Sequence, residues 1–270
     1  MTTLQLVVIA IVQGITEFLP ISSSAHLRLI PELTNWPDQG LTIDIATHVG
    51  TLFAVLIYFW RDIFSMLRGV LDVARGRRTA SAALLLYVVL ATVPIVIVGA
   101  LLLAGGYEDG ELSWLRRVDV IGWSMLIFGV LLYLADRIGM TVRRIEHLTV
   151  GSALLIGMAQ ILALIPGTSR SGITMTAARM LGFERGDTAR FALLLSVPAI
   201  LVSATPSGLA LYQSGDSALG FDAAITALLA FVTAMFAIAA MMQWLKRARF
   251  TPFVIYRVVF GIGLLVWFYT

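Results

Sequence analysis

The chain has 270 residues, 59% hydrophobic and 13% charged, with a mean hydropathy of +0.91; soluble domains run at about 45–50% and 25%. That composition excludes a soluble enzyme, a nucleic-acid-binding domain and a disordered chain, and leaves a polytopic membrane protein. The formal net charge is +3, and the absence of cysteine removes disulfides, thiolate nucleophiles and Cys-based metal sites.

Leu4–Ile30 comes first, an apolar stretch broken at Pro20 by Pro-Ile-Ser-Ser-Ser. Proline removes an amide donor and polar residues follow, which a single lipid-facing helix tolerates badly. The segment is expected to be a re-entrant helical hairpin whose turn is buried in protein near the membrane middle. It lacks a basic n-region and carries Gln13 and Glu17, so it reads as part of the mature fold, not as a secretory signal. Three crossings follow at Ile43–Trp60, Ala80–Leu103 and Val118–Leu134, each near the ~20 residues a bilayer requires. Leu148–Leu181 is the second interrupted segment, broken at Pro166 by Pro-Gly-Thr-Ser-Arg-Ser-Gly and again expected to be a hairpin. Three further crossings are Phe191–Leu211, Ala223–Trp244 and Phe253–Tyr269. The fold class is therefore an all-α integral membrane protein with six transmembrane helices and two re-entrant hairpins, in a single membrane domain over 1–270.

The loops set the orientation. Segment 61–79 carries Arg61, Arg68, Arg75, Arg77 and Arg78; segment 135–147 carries Arg137, Arg143 and Arg144; segment 245–251 carries Lys246, Arg247 and Arg249. The alternate loops 31–42 and 212–222 have no basic residue, and 105–117 has only Arg116 and Arg117. The positive-inside rule places the Arg-rich loops in the cytoplasm, with both termini outside. An offset of 146 residues superposes Pro20 on Pro166, Ser22 on Thr168 and Ser23 on Ser169. Residues 1–134, with hairpin 4–30, and 148–270, with hairpin 148–181, then form two repeats. Three crossings per repeat is odd, so the repeats are inverted and their polar turns meet near the midplane, an architecture known among transporters.

Ionisable residues inside spans are few: Glu17, His26, Asp44, His48, Arg170, Arg179 and Arg257. Such residues mark function by default. Gln13 and Glu17, four apart, share a helix face. A short helix should begin near Ser22 or Ser23, offering free N–H groups to an anion, with His26 in its first turn. In the second turn Thr168, Ser169 and Ser171 surround Arg170, while Gly167 and Gly172 allow close backbone approach. Two helix N-termini, a guanidinium and several hydroxyls make a phosphate site. Glu17 would repel a phosphate unless it holds a bridging divalent cation or acts as a general base. His26 adds a proton-transfer group or nucleophile, and Ser22, Ser23 and Ser24 add hydroxyl nucleophiles. Blander roles compete. Glu17 and Arg170 could form a structural ion pair, and the serines could merely satisfy a broken helix. Asp44 and His48 either line the site or share an interfacial hydrogen bond. Arg179 is expected to snorkel and Arg257 to face the cytoplasmic interface. His147 is expected in solvent, and Trp60, Trp244 and Tyr269 as interface anchors.

Gln13-Gly-Ile-Thr-Glu17-Phe-Leu-Pro20-Ile-Ser-Ser-Ser24-Ala-His26, with Pro166-Gly-Thr-Ser-Arg170-Ser-Gly172, resembles the undecaprenyl-diphosphate phosphatase family of BacA/UppP type. Both motifs and the span pattern agree along essentially the whole chain. The resemblance implies a bacterial inner-membrane hydrolase that converts undecaprenyl diphosphate to undecaprenyl phosphate and phosphate, recycling the lipid carrier for cell-wall synthesis and linked to bacitracin resistance. It implies a divalent cation, Mg2+ or Ca2+, and an active site open to the outer face. Glu17, Ser23, His26 and Arg170 match the motif positions regarded as essential. Ser22, Ser24, Gly167, Thr168, Ser169 and Ser171 complete the expected substrate-binding set, and Glu17 with Gln13 the expected metal ligands. Gln13 stands where the family's first Glu can stand, and a neutral amide weakens any scheme with two carboxylate ligands. Either Ser23 or His26 is the nucleophile. The partners are the lipid substrate and membrane lipid, with no nucleic acid; small-residue faces on the spans leave room for a homodimer. A carrier of a phosphorylated lipid or other anion is the rival class, but it has no evident use for Glu17, Ser23 and His26 together.

Overall fold

The computed structural model describes residues 1–34, 36–104, 113–214 and 217–270. Parts of the expected loops 31–42, 105–117 and 212–222 thus lie outside the described residues. Eleven α-helices are described, and no strand occurs among the described residues. The first broken segment gives α1 (Thr3–Thr16) and α2 (Ser23–Thr34). Then come α3 (Gly40–Tyr58), α4 (Trp60–Ala74), α5 (Ala80–Ala104) and α6 (Val118–Ile138). The second broken segment gives α7 (Val150–Gln160), a 3-10 turn at Ile161–Leu164 and α8 (Arg170–Met180). Helices α9 (Arg185–Ser214), α10 (Ser217–Leu245) and α11 (Thr251–Tyr269) complete the chain.

Six helices are long and apolar enough to cross a membrane: Gly40–Tyr58, Ala80–Ala104, Val118–Ile138, Arg185–Thr205, Leu219–Leu245 and Thr251–Tyr269. They match the six expected crossings. Two expected loops are helical instead. Segment 61–79 is mostly α4, which buries Asp62, Met66 and Gly69 while Leu67, Val70 and Leu71 stay exposed. The arginines had marked it as a loop, but its apolar residues recur with helical period around them. Likewise α9 reaches Ser214 and α10 starts at Ser217, so little of 212–222 is loop.

The helices approach through small residues, as membrane helices do where lipid is as apolar as leucine. A Cβ on Gly50 of α3 would stand 2.0 Å from the Ala227 carbonyl oxygen of α10. One on Gly14 of α1 would meet Thr233 Oγ1 of α10 at 1.8 Å, and one on Gly157 of α7 would meet the Ala91 carbonyl oxygen of α5 at 2.6 Å. Helix α1 thus lies on α10 as α7 lies on α5. The two broken segments match in detail. Thr2 and Thr149 both N-cap their helices through the side chain, Gln13 and Gln160 are both fully buried, and Ser22 and Ser169 both have positive φ, 73° and 69°. Each pair is 147 residues apart, one more than the offset that superposes the prolines.

One end of the bundle is tied by ion pairs. Arg190 of α9 pairs with Asp62 of α4, and Arg144 with Glu184 at 3.2 Å. Asp136 of α6 takes Arg179 Nε at 3.1 Å, Arg185 Nε at 2.7 Å and the Phe250 amide at 3.2 Å. Arg179 is completely buried and also donates to the carbonyls of Gly139, Met140 and Phe183. It does not snorkel, because Asp136 and a ring of chain-end carbonyls replace its water. His147 is exposed, as expected, with its Nδ1 accepting the Arg144 amide. Removing one partner of a buried pair costs about 3–5 kcal/mol. Asp136→Ala should therefore lower the thermal midpoint in detergent sharply, whereas Arg144→Ala, which breaks an exposed pair, should leave it unchanged.

Candidate active site

Both turns lie where the prolines break the apolar runs, and they meet. Ser171 Oγ donates to the Leu19 carbonyl at 3.1 Å, and Arg170 Nη2 reaches Glu17 Oε1 at 2.6 Å. Helix α2 begins at Ser23, as expected, and α8 at Arg170, N-capped by Ser169 Oγ accepting from the Gly172 amide at 3.1 Å. Ser22 and Ser169 occupy the left-handed region, which costs a non-glycine residue about 1–3 kcal/mol and persists only where surroundings over-determine it. Here it reverses each chain so that the following helix starts beside the other turn.

Glu17 is the hub. It is 8% exposed. Its Oε2 accepts from Ser23 Oγ at 2.6 Å and from Gln13 Nε2 at 3.0 Å, while Oε1 takes Arg170. Four of the expected residues (Gln13, Glu17, Ser23 and Arg170) are therefore one hydrogen-bonded unit. Glu17 and Arg170 do form an ion pair, and the Ser23 hydroxyl lies 2.6 Å from the same carboxylate, a distance over which a proton can pass. Arg170 makes this single side-chain hydrogen bond among the described residues, so its remaining N–H groups are open to an anion.

His26 is placed differently. Its Nδ1 lies 2.7 Å from the Ser22 carbonyl and its Nε2 2.5 Å from the Tyr256 hydroxyl, and its ring stacks on Tyr256 and Phe260 of α11. A carbonyl only accepts, so Nδ1 carries the hydrogen and Nε2 accepts from Tyr256. The other expected binding residues are largely committed within the turns. Gly167, φ 90°, packs so tightly on α6 that a Cβ would stand 2.6 Å from the Ile121 carbonyl oxygen. Ser169 and Ser171 hydroxyls serve the α8 cap and the Leu19 carbonyl. Ser24 is exposed with Oγ 3.2 Å from Ser22 Oγ, and Thr168 Oγ1 is buried without a partner.

Arg257 corrects an expectation. It faces no interface: it is 0% exposed and donates to carbonyls of both turns, Gly167 and Thr168 at 2.9 Å each and Pro20 at 3.3 Å, as well as to Met125 at 3.2 Å. No carboxylate pairs with it among the described residues. Two further residues join the site: Tyr256, which the sequence did not single out, and His48, which with Asp44 was left open as a lining residue. Tyr256 holds His26, and His48 of α3 brings Nε2 to 3.6 Å from Glu17 Oε2 while its Nδ1 donates to the Asp44 carbonyl at 2.7 Å. Asp44 accepts from Gln39 Nε2 at 2.8 Å, and His48 is the member of that pair that approaches Glu17. The usable sequence signal was that an arginine or histidine inside a span must have a partner there.

The family model described as Bacitracin resistance protein BacA matches residues 6–263. This chain belongs to that family. Relatives named undecaprenyl-diphosphatase include one from Roseobacter denitrificans, 49% identical with all of both chains covered. One from Rhodospirillum rubrum, named undecaprenyl-diphosphatase 1, is 50% identical over 98% of this chain and 95% of its own. One from Hahella chejuensis is 47% identical over 100% of this chain and 99% of its own.

Because the Arg257 fork sets where the two turns stand, Arg257→Lys keeps the charge and loses the spacing. A misplacement of about 1 Å lowers rates on the order of 10²-fold. Phosphate release by Arg257→Lys should fall by about that factor, and an unchanged rate would show that the fork does not position the site.

Proposed function

We propose that the chain dephosphorylates undecaprenyl diphosphate at the paired turns, with Ser23 attacking and undecaprenyl phosphate and inorganic phosphate as products. The relatives' common name and the near-complete family match support the activity. One observation carries the chemistry: a single carboxylate takes the Ser23 hydroxyl on one oxygen and Arg170 on the other. His26 is the weaker nucleophile, because both its ring nitrogens are engaged elsewhere. An anion carrier would use Arg170 and the helix N-termini but has no use for a carboxylate-bound serine.

Ser23 Oγ attacks the terminal phosphorus as its proton passes to Glu17 Oε2. The bond from that phosphorus to the bridging oxygen breaks, and undecaprenyl phosphate leaves with the proton from Glu17. Water then attacks the phosphoserine, giving its proton to Glu17, which returns it to the departing Ser23 oxygen. Arg170 turns its open N–H groups onto the equatorial phosphoryl oxygens, where preorganised charge acts most strongly. Arg257 adds a fixed positive charge behind the turns.

Glu17 Oε2 and Gln13 Oε1, which is buried without a partner, would hold a divalent cation. Oxygen donors with few carboxylates suit Mg2+ or Ca2+ completed by substrate phosphate. When bound, the cation supplies neutralising charge to the phosphoryl group.

The finer architecture belongs to the same reading. Helices α1, α2, α7 and α8 have 14, 12, 11 and 11 residues. At 1.5 Å per residue the longest spans about 21 Å, short of the ~30 Å hydrocarbon core, which favours re-entrant hairpins. The 147-residue correspondence favours an inverted repeat. The basic segments share one end of the bundle, which favours a cytoplasmic face there, outward termini and a site open to the outer face of the inner membrane. An apolar cavity of about 530 Å³ beside the first turn, lined by Leu19, Phe236, Trp244 and Phe253, offers part of the lipid tail a place between helices.

Phosphate release from undecaprenyl diphosphate by purified protein in detergent tests this. Ser23→Ala should lose at least about 10⁴-fold, as removal of a nucleophile does. Arg170→Lys should lose about 10²–10³-fold. A chelator should stop release and Mg2+ restore it. Undiminished release by Ser23→Ala would sink the mechanism.

A further inference from the structure

We propose that His48 is the nitrogen ligand of the cation, completing with Glu17 and Gln13 a mixed oxygen–nitrogen site. The inference deepens the cation reading above and rests on it.

Three observations converge. The first is tautomeric. His48 Nδ1 stands 2.7 Å from the Asp44 carbonyl, which only accepts, so in the neutral ring the hydrogen sits on Nδ1 and the lone pair on Nε2. A metal-bound histidine characteristically donates its other ring N–H to such a backbone carbonyl. The second is distance. The Nε2 lone pair and Glu17 Oε2, another acceptor, are 3.6 Å apart. That is too long for a hydrogen bond, and two ligands each about 2.1 Å from one cation can span it. The third is the orphaned amide. Gln13 is fully buried, its Nε2 lies on the same Glu17 Oε2, and its Oε1 has no partner. Amide oxygen and nitrogen exchange places by one rotation. With a cation beside Oε2, that rotation brings the Gln13 oxygen to it, alongside Glu17 and His48.

The ligand set carries a consequence for the ion. Imidazole suits Zn2+ better than Mg2+ or Ca2+, and Mn2+, which shares the oxygen preference of Mg2+ and stands at the foot of the transition-metal affinity order, serves as the paramagnetic probe. With a neutral amide at position 13, His48 supplies the donor that a second carboxylate would otherwise provide. His26, by contrast, has its Nε2 engaged by the Tyr256 hydroxyl.

Pulsed electron paramagnetic resonance of Mn2+ bound to the purified full chain in detergent reads the ligand directly. The chain has three histidines. Wild-type protein should show coupling to a directly bound imidazole nitrogen, and 15N-histidine labelling should change it to the 15N pattern. His26→Ala should keep that coupling. His48→Gln should lose it and bind Mn2+ at least about tenfold more weakly, with a smaller preference for Mn2+ over Mg2+. The labelled wild-type spectrum decides the matter even if a variant misfolds. Bound Mn2+ without nitrogen coupling, coupling that survives His48→Gln, or no Mn2+ bound at all would each overturn the inference. Phosphate release measured on the same samples separates the two readings. Active protein lacking the nitrogen signal refutes the ligand and keeps the phosphatase, whereas a nitrogen-bound ion in protein that releases no phosphate refutes the activity.

Discussion

Backbone that leaves the helix inside an apolar medium must have its carbonyls and amides satisfied by protein. This chain leaves the helix twice within its apolar segments, after Gln13–Glu17 and after Gln160. The fork of Arg257 answers both departures at once, donating to Pro20 in one turn and to Gly167 and Thr168 in the other. An arginine can do this because its five donors point in fixed directions and its charge tolerates carbonyl oxygens as the only partners. The two turns are thereby held at one spacing, and that spacing is what lets Glu17 of the first turn reach Arg170 of the second.

Charge at the site follows from the same arrangement. One carboxylate stands among two guanidinium groups, so the pocket is net positive before any anion arrives. Glu17 divides its contacts, one oxygen to Arg170 and the other to Ser23, Gln13 and the neighbourhood of His48. The Ser23 hydroxyl thus sits on the carboxylate that Arg170 holds. At one end of the bundle another carboxylate, Asp136, plays a purely architectural role, gathering Arg179, Arg185 and the Phe250 amide. The two clusters use the same residue types. They differ in that the Asp136 cluster is closed on protein, whereas Arg170 and Ser23 keep an open side.

Much of this was legible in the sequence, for local reasons. Pro20 and Pro166 remove donors where polar residues follow, so both breaks could be placed without knowing any neighbour. Gln13 and Glu17 share a helix face by spacing alone, and Ser23 opens α2 as serine's capping habit suggests. What stayed hidden depends on contacts between distant segments. Arg179 and Arg257 lie near span ends in the linear chain, which suggested an interface, yet each is enclosed by helices from elsewhere. His48 was weighed only against Asp44, its partner in sequence, because nothing local says that α3 passes Glu17. The arginines of 61–79 masked an amphipathic helix, since charge counted over a loop ignores the period of the apolar residues between them.

The central claim is that Ser23, activated by Glu17, takes the phosphoryl group. The direct measurement is to mix the protein with undecaprenyl diphosphate, quench parallel samples with acid and with alkali within one turnover, and locate phosphate on peptides by mass spectrometry. Acid preserves phosphoserine and alkali preserves phosphohistidine, so the two quenches together make both candidates visible. The account predicts phosphate on Ser23, formed and lost at rates that match turnover, and absent in Glu17→Gln. Phosphate on His26, or a completed single turnover with no phosphorylated residue, would contradict it.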